Sequence, residues 1–88
     1  MWGMAEVSGE RLEQVIVELL EAQEPGKTIC PSDAARAVAA TDFRPLMDTA
    51  RAAAAELVAE GEIEVTQGGK VVDIAQARGP IRLRRRRR

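Results

Sequence analysis

The feature that most constrains this chain is a change of rhythm at Gly61. Residues 43 to 61, FRPLMDTARAAAAELVAEG, repeat apolar side chains at helical spacing, whereas residues 62 to 74, EIEVTQGGKVVDI, alternate them. A helix brings every third or fourth residue to one face and a strand every second, so the switch calls for a helix running into a strand. Leu46, Met47, Ala50, Ala54, Leu57 and Val58 form the inward face of the helix, and the run Ala52 to Ala55 lets a second helix come close. Pro45 falls in the first turn, where it is tolerated, Asp42 is the candidate cap, and Gly61 closes the helix. The two β-branched runs that follow flank Gly68 and Gly69, which can take the positive φ of a tight hairpin turn. Pairing around a two-residue loop sets Val65 against Val72 and Ile63 against Ile74. It also sets Glu64 against Asp73, a like-charge pair that an arginine of the final segment, Arg82 or Arg84, is expected to separate.

Upstream, Leu12, Val15, Ile16, Leu19 and Leu20 make one apolar stripe along residues 9 to 23, with Ser8 as the N-cap and EPGK as the stop. The other face of this helix carries Glu10, Glu13, Glu21 and Glu24, which repel a phosphate backbone. A short second helix opens at Pro31, whose missing N–H costs nothing there, and places Ala34, Ala35, Val38 and Ala39 inward. Ile29, ahead of the cap, is expected to staple onto its first turn. The only aromatic residues are Trp2 and Phe43, so the core is built from Leu, Ile, Val and many Ala. Eighty-eight residues suffice for one small domain and no second core.

Charge is segregated along the chain. Residues 1 to 77 carry six Lys plus Arg against fourteen Asp plus Glu, a net of −8, while residues 78 to 88 carry seven Arg and no acid. One cysteine, Cys30, allows no internal disulfide, and without any histidine it assembles no standard zinc site. Cys30 ahead of Pro31 reads as a small half-buried cap rather than a reactive thiolate. The start of the chain lacks a signal-peptide pattern and no stretch is apolar enough to span a membrane, so a cytoplasmic protein is expected. Carboxylates fall on solvated faces and no serine has an evident base partner. We therefore expect no enzyme activity, no cofactor and no small-molecule substrate.

The closing stretch AQARGPIRLRRRRR alternates Ile81 and Leu83 with Arg82 and Arg84, as in an edge strand or an extended arm over the hairpin. Three helices, then a hairpin, then a basic extension give an α+β class, in the element order of a small winged helix-turn-helix. The expected layout is a flexible N-terminus over 1–8, the winged-helix domain over 9–84, and a disordered arginine tail over 85–88.

Three stretches in order, TICPSDAAR, FRPLMDTARAAAAELVAEGEIEVTQGGKVVD and RGPIRLR, resemble a family of small bacterial winged-helix proteins, domain of unknown function 3253. The likeness covers residues 28 to 84. Phe43 stands where the family pattern suggests tryptophan, and Ile74 where it suggests proline. The arginines after Arg84 extend past the expected end of the pattern. The resemblance implies this fold and no established activity.

In such a fold the helix starting at Phe43 is the expected recognition helix and Gln67 to Lys70 the wing tip. The candidate nucleic-acid contacts are then Arg36, Arg44 and Arg51 on the helices, with Gln67 and Lys70 at the wing. Arg82, Arg84, Arg85, Arg86, Arg87 and Arg88 add sequence-blind attraction to phosphate. A competing local reading has Arg44, Asp48 and Arg51 bridge one another on a solvated face. The leading function is binding of double-stranded DNA with weak sequence preference. The alternative is a protein-interaction or homodimerisation module, which the acidic balance of residues 1 to 77 favours.

Overall fold

The computed structural model describes residues 8–39 and 41–86. The expectations for Trp2 and for residues 1–7 therefore fall outside the described residues, as do Arg87 and Arg88. Within these bounds the chain is α+β, with three helices and a four-stranded antiparallel sheet.

Helix α1, Gly9–Glu21, starts where Ser8 Oγ accepts from the Arg11 amide at 3.1 Å. Its stripe Leu12, Val15, Ile16 and Leu20 is buried, while Leu19 is half-buried. A two-residue strand β1, Thr28–Ile29, leads into helix α2, Pro31–Val38. Cys30 is the N-cap of α2, half-buried, and its amide donates to the Asp33 carboxylate at 2.9 Å. Ile29 is buried as expected, but within a strand rather than in a simple staple.

The third helix begins later than its sequence pattern suggests. A 3₁₀ turn, Arg44–Leu46, carries Pro45, and helix α3, Met47–Ala59, follows it. Neither start has a side-chain cap, so Asp42 does not cap the helix. Ala50, Ala53 and Ala54 are fully or almost fully buried with Leu57, while Leu46, Met47 and Val58 are only half-buried. Small side chains at the contact bring the backbones of α3 and α1 together, which replaces missing bulk with close approach.

Strand β2, Ile63–Gln67, turns through Gly68 and Gly69, with φ of +61° and +84°, into the short strand β3, Lys70–Val71. Thr66 pairs with Val71 and Gln67 with Lys70, and the Val72 amide donates to Val65 O at 2.9 Å. The expected register therefore holds to the Val65–Val72 pair and stops there. Asp73 then turns the chain away: its carboxylate accepts from the Ala75 amide, and its carbonyl accepts from Gln76 and Ala77. Ile63 consequently does not face Ile74, nor Glu64 Asp73.

Their places beside β2 are taken by the last strand, β4, Arg82–Arg85. The sheet order is β1-β4-β2-β3, so the segment expected at an edge is an inner strand. Leu83, fully buried, pairs with Ile29 on one side and Val65 on the other. Pairing continues through Arg85 with Ile63, and the Arg86 amide donates to Glu62 O at 3.1 Å, two residues beyond the expected limit at Arg84. Ile29, Ile63, Val65, Ile81 and Leu83 join the helix stripes in one core.

Candidate nucleic-acid interface

The cationic side chains named from the sequence separate into tethered and free groups. At the α2–α3 connection the Arg36 guanidinium lies over the Phe43 ring, 4.6 Å from its centroid. This stacking leaves the charge at the surface and restricts its motion. Arg44, eight residues on and in the 3₁₀ turn, is exposed. Arg51 is half-buried and donates to the Ala77 carbonyl at 3.4 Å, which ties the middle of α3 to the loop between β3 and β4. Among the described residues neither Arg44 nor Arg51 pairs with Asp48, so the local bridging reading does not hold.

Gln67 points into the molecule's own backbone. Its amide nitrogen donates to Arg78 O at 2.6 Å and to Pro80 O at 3.0 Å. It is a loop brace, leaving Lys70 as the exposed polar group named for the hairpin tip. The braced loop carries Arg78, exposed and absent from the sequence-based set. The Gly79-Pro80 pair beside it marks a turn, and that signal could have picked out Arg78 as a cation held on a fixed loop.

The C-terminal arginines do not act as one tail. Arg82 donates to Thr28 Oγ1 at 2.9 Å, to Cys30 Sγ at 2.7 Å and to Thr28 O at 3.3 Å, clamping β4 to β1 and the start of α2. Arg84 donates through Nη2 and Nε to Glu64 Oε1, at 2.6 and 3.2 Å. Arg84 does pair with Glu64, but it does not sit between Glu64 and Asp73 as expected, because Asp73 lies elsewhere and accepts from the Ala75 amide. Arg85 and Arg86 are exposed.

Two concavities frame these groups. A cleft of about 310 Å³ lies between the starts of α2 and α3 and the braced loop, lined by Cys30, Met47, Arg51, Pro80 and Ile81 among others. A second, of about 500 Å³, runs between α1 and α3 and is lined by Glu13, Gln14, Val17, Glu18, Glu21 and Leu57. Here the Glu13 carboxyl is pushed above its ordinary range, first by partial burial and then by the charges of Glu60, Glu56 and Glu10. Acids thus crowd the α1 side of α3, while exposed cations stand in the 3₁₀ turn before α3 (Arg44) and on the braced loop (Arg78), with Asp48 in the first turn of α3. Among the described residues no cluster of three metal-ligating side chains occurs, and no helix is long and apolar enough to cross a membrane.

The chain belongs to the family described as protein of unknown function (DUF3253), whose model matches residues 9–86. That match takes in α1 and extends two residues past Arg84, beyond the stretch that the resemblance covered. No curated protein matches the chain.

Proposed function

We propose that this family member is a winged helix-turn-helix domain that binds double-stranded DNA with weak sequence preference. The strand order supports the winged-helix reading: β1, which precedes α2, pairs with the last strand, and that strand also pairs with the hairpin strand β2. Such a sheet packs against α1 and α3, while α2 packs on those two helices, an arrangement that suits a winged helix with the start of α3 turned outward.

One observation carries the DNA reading. Arg36, Arg44, Lys70 and Arg78 are all exposed, and among the described residues none has a carboxylate within ion-pair distance. Exposed cations left without a carboxylate partner on a net-acidic domain suit a polyanion. Arg44 at the head of the recognition helix meets the groove or its flanking phosphate, and Arg78 and Lys70 meet the backbone. Gln67 and Arg51 hold the loop that presents Arg78 and make no contact of their own.

Three phosphate contacts, from Arg44, Lys70 and Arg78, give a slope of about −2.7 for log K against log salt on duplex DNA. Fluorescence anisotropy of a mixed-sequence duplex across a salt series, with a chain ending at Arg86, measures it without the last two arginines. Arg44→Ala and Arg78→Ala should each reduce the slope by about 0.9. Binding that survives both substitutions together with an unchanged slope rules out this surface.

A further inference from the structure

We infer that the groove between α1 and α3 is the docking surface for this chain's own arginine terminus, Arg86 to Arg88. Val17 is half-buried and Leu57 almost fully so, giving the groove an apolar floor, and Glu13, Glu18 and Glu21 line it. Glu10, Glu56 and Glu60 add to the negative field at Glu13. Among the described residues none of these six carboxylates has a cation within 4.0 Å. A groove of this kind fits guanidinium heads at its rim and aliphatic arginine stems over its floor.

The path of the chain selects the occupant. Arg86 leaves the sheet with its amide on Glu62 O, and its guanidinium lies beside Gly61, where an added Cβ would come within 3.4 Å of Nη1. Gly61 follows Glu60 directly, so the chain emerges at the end of α3 that carries Glu56 and Glu60. Two further extended residues advance about 7 Å, more than the roughly 6 Å that four residues of helix set between Glu60 and Glu56. The terminus therefore reaches the acidic rim without disturbing β4. Exposed ion pairs are individually weak, and a free peptide would not stay. A tethered one is held at an effective concentration in the millimolar range. Docking also relieves repulsion among the glutamates and withholds the terminal charges from other anions, whatever partner the domain binds.

Amide NMR spectra of the full chain and of a chain ending at Arg86 test this without any DNA, so the outcome is separate from the DNA reading. At about 20 mM salt, removal of Arg87 and Arg88 should shift the amides of Glu13, Val17, Glu56 and Glu60, and at about 0.5 M salt the differences should vanish. Glu56→Gln with Glu60→Gln should abolish them too, and tenfold dilution should leave them unchanged. Shifts confined to the neighbours of Arg86, such as Gly61 and Glu62, overturn the proposal. Shifts that fade on dilution overturn it as well, by assigning the groove to the terminus of another copy.

Discussion

Truncating Leu83 to alanine tests the most consequential placement in the fold, the C-terminal segment as an inner strand. Leu83 has no exposed surface and is flanked by Ile29 on β1 and Val65 on β2, both also buried. Leu83→Ala removes buried apolar carbons and leaves a cavity whose walls are two hydrogen-bonded strands, which cannot close around it. Leucine-to-alanine changes of this kind cost roughly 2–5 kcal/mol, and the constrained walls argue for about 3 to 4. At roughly 0.05–0.15 kcal/mol per residue, a chain of 88 residues has about 4–13 kcal/mol in total. The substitution therefore removes a large share of the stability. Urea unfolding followed by circular dichroism should show the midpoint fall by about 2 M at an m-value near 1.5 kcal/mol/M. Leu83→Met, which nearly preserves volume, should cost under about 1.5 kcal/mol. A loss below about 0.5 kcal/mol for Leu83→Ala, within the range of a surface change, would refute the inner-strand placement and leave residues 82–85 as an appended arm.

Arg84 and Glu64 form a part-exposed pair, with side chains 32% and 29% accessible. Solvent screening holds its worth to about 0.5–1 kcal/mol, and a double-mutant cycle of Arg84→Ala and Glu64→Ala should return a coupling of that size that shrinks in high salt. Gly68 and Gly69 have open space where a Cβ would stand, so alanine at either meets only the cost of positive φ, about 1–2 kcal/mol by urea unfolding. Because the folded pKa of Glu13 is raised, the unfolded chain loses that proton first, and stability from this site is present at acidic pH and lost as pH rises through the raised value. Glu13→Gln should therefore gain about 0.3 kcal/mol at pH 7, the size of a relieved like-charge helix pair, and the gain should disappear below about pH 4.

Elements with a period were legible, and elements defined by a distant partner were not. Ser8, the α1 stripe, Pro31 at the head of α2 and the Gly68-Gly69 turn are local signals, and each falls where the pattern put it. Strand β1 has two residues, too few for any period, and exists because Thr28 and Ile29 meet Arg84 and Leu83 more than fifty residues later. The hairpin ladder ends at Val72 because Asp73 satisfies nearby amides itself, a choice that alternation alone cannot reveal. Arg36, Arg44 and Lys70 lie exposed, as their charge and position in the pattern suggested. The exposed Arg78 drew no attention because its loop is fixed by contacts from Gln67 and Arg51 that lie far away in sequence.

The reading of β4 as an edge strand or an arm rests on Pro80 and the alternation after it, and the roles of its arginines explain why an inner strand tolerates them. Antiparallel sheets commonly pack one face on a core and leave the other toward water, so alternate positions can be charged. Leu83 and Ile81 supply the buried face, while on the other Arg82 donates to the oxygens of Thr28 and Arg84 is neutralised by the carboxylate of Glu64. It follows that the arginines closing the chain divide at β4. Arg82 and Arg84 hold the sheet together, whereas Arg85 and Arg86 are exposed.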